Sequence, residues 1–137
     1  MVRDVTALVG RIGIGVVFIA HGWQKVAEWG LDGTAQAFQG MGVPMPTLSA
    51  WFAAIVELVG GAMLVAGAAL PVVGVLLALN MAGALVLVHL PNGLTGQGGY
   101  ELVLALGVAA LALGFNGGDL SVDRLVRSRR APARASA

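Results

Sequence analysis

Cysteine is absent from this chain. Disulfide exchange, thiolate metal ligation and iron–sulfur ligation are therefore excluded as chemistry the chain runs alone. Charge is nearly as scarce, at 11% of residues against about 25% in an ordinary soluble domain. So little charge cannot clothe a soluble surface. There is also no 20-to-50-residue repeat, no Gly-rich phosphate loop and no soluble targeting motif. The net charge of +1 gives no basis for a nucleic-acid partner.

What is abundant is apolar sequence, 58% of 137 residues. Four apolar blocks of about 20 residues use most of that length, so the chain reads as an all-α, multi-pass protein of the cytoplasmic membrane. No room remains for a soluble catalytic domain, and any soluble enzyme work falls to a partner. The expected spans run from about Val5 to Val26, Leu48 to Ala66, Pro71 to His89 and Tyr100 to Phe115. The last is short for a full crossing. Arg3 before an apolar run has the look of a signal peptide, but Arg11 interrupts the apolar core and the helix continues toward Trp29, which favours retention as the first span.

Between the first two spans, Thr34 to Met41 predicts a short interfacial helix, and Pro44 and Pro46 predict extended backbone at Val43 and Met45. After Asn116, Gly117 and Gly118, the residues Leu120, Val122, Leu125 and Val126 make an apolar stripe opposed by Asp123, Arg124 and Arg127. This suits an amphipathic helix lying on an anionic leaflet, with SRRAPARASA beyond it expected to be disordered. Residues 1–118 are thus read as a four-span membrane domain and 119–137 as a cytoplasmic tail. The tail's arginines place it inside, and four spans bring the N-terminus to the same side. Trp23, Trp29, Trp51 and Tyr100 then gather near the outer interface, where aromatic anchoring is the ordinary explanation. Rows of small residues such as Gly74, Ala78 and Ala82 fit close helix packing.

The stretch RIGIGVVFIAHGWQK places Arg11, His21 and Lys25 in one apolar helix. At 100° per residue Arg11 and Lys25 lie about 40° apart, so these groups share a broad face. Intramembrane ionisable groups pair with one another and line functional interiors. Counted from span centres, Glu57 lies near the midplane and Arg11 about 9 Å toward the cytoplasm. A structural Arg11–Glu57 ion pair is expected from this, with Asn80 completing the shell.

A second cluster lies toward the outer face: His21, Lys25, His89 and Glu101, with Tyr100 beside them. Glu101 also suits the first turn of its helix, where the macrodipole favours a carboxylate. Protonatable groups, a cation and a phenol under apolar walls are what a quinone head group needs at its two oxygens. His21, Lys25, His89 and Glu101 are therefore the candidate catalytic residues and, with Tyr100, the candidate quinone-binding set; menaquinone and ubiquinone both fit. His21 and His89 differ in depth by more than a helical turn, which argues against haem, and nothing fixes the ligand spacing a zinc site requires.

Taken together, RIGIGVVFIAHGWQK, FQGMGVPMP, ELVGGAMLVAG, HLPNGLTGQGGYELVLAL and DLSVDRLV resemble the DoxX family of small bacterial four-helix membrane proteins, from Leu8 to Val126. The resemblance implies an inner-membrane protein associated with respiratory or redox enzymes. DoxX and DoxD are names of components linked to a quinol oxidase and a thiosulfate:quinone oxidoreductase, and some similar proteins are linked with soluble sulfurtransferase and superoxide dismutase partners. The shared pattern falls on Arg11, Lys25, Glu57, His89 and Glu101, and less closely on His21 and Asn80.

Three functions follow as expectations. One is a quinone- or lipid-binding subunit of an oxidoreductase complex with a soluble or membrane-bound partner. Another is a docking or assembly subunit without a ligand, and the third is a small proton-coupled transporter using Glu57. The sequence leaves oligomerisation open.

Overall fold

The computed structural model describes residues 1–131. Every regular element among them is helical: α1 Val2–Trp23, α2 Gly30–Gly40, α3 Pro46–Ala66, α4 Leu70–Ala84, α5 Glu101–Phe115 and α6 Val122–Arg130. α1 continues through a π turn at Gln24–Glu28, and α4 through a π turn at Leu85–His89 and a short 3-10 turn at Leu90–Asn92. Three of the continuous helical stretches are long and apolar enough to cross a membrane: Val2–Glu28, Pro46–Ala66 and Leu70–Asn92. The fourth apolar helix, α5, has 15 residues.

α1 packs along α3 and α4 along α5, with α3 against α4 joining the two pairs. Glycine sets both close contacts. A Cβ on Gly15 would fall 2.8 Å from Gly61 O, and one on Gly61 would fall 2.8 Å from Gly15 O, so α1 and α3 touch backbone to backbone there. Gly74 and Gly114 do the same for α4 and α5, where a Cβ on Gly74 would lie 2.7 Å from Ala110 O. Lipid offers no hydrophobic drive for helices to associate, so such close van der Waals fit is what joins them. Of the expected row of small residues, Gly74 makes the contact, whereas Ala82 is exposed. Phe18, Leu64, Leu70, Val73, Leu77, Met81, Leu106 and Ala110 fill the centre of the bundle.

One end of the bundle, the terminal end, carries the start of α1, α6 and the tight α3–α4 turn; the other carries α2 and the Leu90–Tyr100 connection. At the terminal end Asp123 accepts from the first amides of α4, Ala69 N at 2.7 Å and Leu70 N at 2.8 Å. Its own N–H donates to Gly67 O at 3.0 Å. Asp4 Oδ1 accepts from Asp119 N at 2.9 Å, holding the start of α1 beside the end of α5. Residues 119–123 are thus fastened to the bundle. Ser121 caps α6 by accepting from Arg124 N, and the expected apolar stripe of Leu120, Val122, Leu125 and Val126 is exposed along it.

Three local expectations need correction. The helix after Gly30 starts at once and covers Gly30–Gly40, longer than Thr34 to Met41, because Gly30 turns the chain at φ +73° without a gap. Met45 is left-handed (φ 45°), not extended. The ring of Pro46 bars the right-handed helical region to Met45, and the left-handed turn lets Met45 O accept Ser49 N as α3 begins. Disorder from Ser128 onward is also wrong for Ser128, Arg129 and Arg130, which continue α6; residues 132–137 lie outside the described part.

Candidate functional site: a cavity floored by a buried ion pair

α3 and α4 leave the tight turn side by side, touch where Gly60 meets Leu77, and are bridged one turn higher by Asn80 Nδ2 donating to Glu57 Oε1 at 3.0 Å. Above that bridge lies a cavity of about 1070 Å³. Its floor is an ion pair: Lys25 Nζ donates to Glu57 Oε2 at 2.7 Å, with both side chains buried. Lys25 Nζ also reaches His21 O at 3.5 Å. Glu57 therefore has one oxygen on α1's lysine and the other on α4's asparagine, drawing three helices together at one carboxylate.

The expected Arg11–Glu57 pair does not form. Arg11 is fully buried, but Nη1 donates to Val65 O at 3.3 Å and Nη2 to Leu120 O, while its Nε has no protein partner. The reason is side-chain direction. Helical side chains lean toward the N-terminus of their own helix. Arg11 therefore leans toward the terminal end, and Lys25 leans down toward the middle. Glu57, on the antiparallel α3, leans up to meet it.

The walls hold the rest of the outer cluster. His21, His89 and Glu101 all line the same cavity as Lys25, Glu57 and Asn80, so the two expected clusters merge into one site that leaves out Arg11. Tyr100 is corrected: it does not line the cavity, although Gly99 and Glu101 do. It is the residue before α5, with φ −91° and ψ 9°, and side chains of consecutive residues diverge there.

His89 Nδ1 lies 2.8 Å from Gly98 O. A carbonyl only accepts, so Nδ1 carries the proton and neutral His89 presents Nε2 as an acceptor. Asn92 Nδ2 donates to the same carbonyl at 3.0 Å, fixing the Gly-rich loop across the end of the cavity.

Both π turns border the cavity, one carrying Lys25 and the other ending at His89. Each inserts an extra residue per turn and re-aims the side chains that follow, an irregularity recurrent at functional sites. Thr34, which the sequence reading passed over, is fully buried; its hydroxyl lies 3.0 Å from Lys25 O and 2.8 Å from Gly30 O, so it ties α2 onto the first π turn. Its signal was a lone threonine four residues after a helix-breaking glycine, the spacing at which a hydroxyl reaches back to the i−4 carbonyl.

With that geometry in place, the sequence profile of the DoxX family matches residues 6–90. The chain belongs to the DoxX family. A Bacillus subtilis (strain 168) protein named "Putative oxidoreductase CatD" is 34% identical over 80% of this chain and 79% of its own length. An Escherichia coli (strain K12) protein named "Inner membrane protein YphA" is 31% identical over 89% of this chain and 91% of its own. An uncharacterized membrane protein of Mycobacterium tuberculosis, Rv3486, is 32% identical over 90% and 82%. No solved structure matches the chain. This DoxX protein is accordingly a membrane protein with several apolar helices.

Proposed function

We propose that this protein is a four-crossing membrane subunit of a redox enzyme system, holding the head group of a quinone in the cavity above Lys25 and Glu57. The observation that carries the reading is the cavity itself, about 1070 Å³, largely apolar in its walls and floored by hydrogen-bonding groups at the depth of a buried ion pair. Apolar walls with a few convergent polar groups are the usual form of a small-molecule site.

The residues fit a quinone head. A bound quinone takes up two electrons and two protons to become a quinol. Lys25 spends donors on Glu57 and His21 O and, as an ammonium, has a third N–H for a quinone oxygen, where it offsets negative charge on reduction. Asn80 has a second amide N–H beyond the one on Glu57. His89, with Nδ1 on Gly98 O, leaves Nε2 free for a quinone or quinol oxygen. Glu101, exposed in the first turn of α5 while lining the cavity, exchanges a proton between that space and water. With no cysteine and no recognisable flavin or haem motif in the sequence, the electrons are assigned to a partner enzyme. The oxidoreductase in CatD's name points the same way.

Four crossings are supported by the hydrogen bond between Asp4 and Asp119 at 2.9 Å, which keeps the start of α1 beside the residues after α5. On this reading α5 is the fourth crossing. Its 15 residues cover about 22 Å, and a short helix is accommodated by local thinning of the bilayer. The arginines of α6 support a cytoplasmic side for the terminal end. A transporter working through Glu57 is the less favoured use of the site, since both carboxylate oxygens are already engaged.

The test is lipid extraction and mass spectrometry of the purified protein together with a pull-down from its native membrane. Quinone that co-purifies and is lost in His89→Ala and Glu101→Gln variants that still fold supports the reading. Wild-type protein without quinone but with a stoichiometric enzyme partner would make this a docking subunit.

A further inference from the structure

We infer that the cavity opens sideways into the bilayer through a window between α3 and α4, and that its ligand is an amphiphile whose apolar tail lies in that window. This rests on the reading of the cavity as a head-group site.

Two stripes frame the window. Leu48 and Phe52, four residues apart on α3, line the cavity and are also exposed. Leu79, Gly83 and Leu87, spaced by four on α4, line it from the opposite side, and both leucines are exposed. A spacing of four keeps each set on one face of its helix. All five are apolar, whereas the α1 and α5 walls carry His21, Gln24 and Glu101 beside apolar residues such as Phe18 and Leu106. The floor and the far end are covered. Lys25, Glu57 and Asn80 close the floor, while Phe38 of α2, Met41 just after it and the loop tied to His89 and Asn92 lie over the far end.

Depth decides what lies outside. Gly83 sits close to the middle of the apolar stretch Leu70–Asn92, so the window faces acyl chains and not water. A tail already dissolved in the bilayer enters there without crossing a polar surface. The head then comes to rest against the ion pair. The ligand class is therefore a neutral hydrogen-bonding head on a long alkyl or isoprenoid tail, because Lys25 and Glu57 cancel each other's charge.

Gly83 offers a clean test, since a Cβ built there meets nothing within 4 Å and its backbone is ordinary helix. Gly83→Phe puts a ring at the window from a Cβ position that meets no neighbour; Gly83→Ala leaves the window open. Binding is read by quenching of tryptophan fluorescence, as Trp29 lines the cavity. The probes are a quinone with a long isoprenoid tail and the same head without the tail, titrated into protein in nanodiscs.

The expected result is that Gly83→Phe binds the tailed quinone at least about tenfold more weakly while retaining wild-type affinity for the tailless head, and that Gly83→Ala binds both normally. Unchanged binding of the tailed quinone by Gly83→Phe overturns the window. Equal loss of both probes also overturns it, because the ring would then occupy the head site. Wild-type protein that binds neither probe instead removes the head-group reading beneath it.

Discussion

Lys25 Nζ lies 2.7 Å from Glu57 Oε2, while Arg11, on the same broad face of α1, is held by backbone carbonyls at the opposite end of the bundle. The two cations thus have separate tasks. Lys25 floors the cavity and Arg11 fastens the segment after α5.

For the first, breaking the pair from one side leaves a buried charge without its partner. Glu57→Gln is expected to destabilise the protein by about 3 kcal/mol, and the double variant Lys25→Met, Glu57→Leu to recover most of that loss. Thermal unfolding in detergent measures both. A double variant as unstable as the single one would show that the pair is not what the carboxylate contributes.

For the second, Arg11→Met removes hydrogen bonds to Val65 O and Leu120 O, each charged bond contributing about 1.5–3 kcal/mol. Residues 119–123 should loosen, and trypsin should cut at the exposed Arg124 and Arg127 several times faster than in wild type. Glu57→Gln, acting at the other end of the site, should leave that cleavage rate alone. If Arg11→Met is cleaved no faster, Arg11 does not anchor the tail.

Much of this was legible in the sequence. Apolar block lengths located every long helix to within a few residues, and the scarcity of charge made each buried polar residue conspicuous. Lys25, Glu57, Asn80, His21, His89 and Glu101 were all singled out, and all meet at one cavity. The pairing among them was misread because depth was counted along the backbone. A lysine's ammonium sits about a turn below its own Cα in an upward-running helix, which shifts the partner of Glu57 from Arg11 to Lys25. The π turns and the α4 cap by Asp123 have no periodic signal. The first π turn is met by Thr34 on Lys25 O, and the α4 cap joins residues that are 53 and 54 positions apart in the chain, contacts that only the folded chain brings together.

The orientation of the bundle is open to direct labelling. Single cysteines introduced at Gln36, Thr95 and Ser128, all exposed, should react with a membrane-impermeant maleimide from outside, from outside, and only after permeabilisation, respectively. Thr95 reacting on the same side as Ser128 would reject four crossings.

Photoaffinity labelling asks whether the space above Lys25 and Glu57 holds a quinone head. An azido-quinone irradiated with the protein in native-like membranes, followed by peptide mass spectrometry, should place adducts on cavity-lining segments around Phe52, His89 and Leu102. Excess unlabelled quinone should suppress them. Adducts confined to outward-facing positions such as Val9 and Val108, with no competition by unlabelled quinone, would contradict a quinone site there.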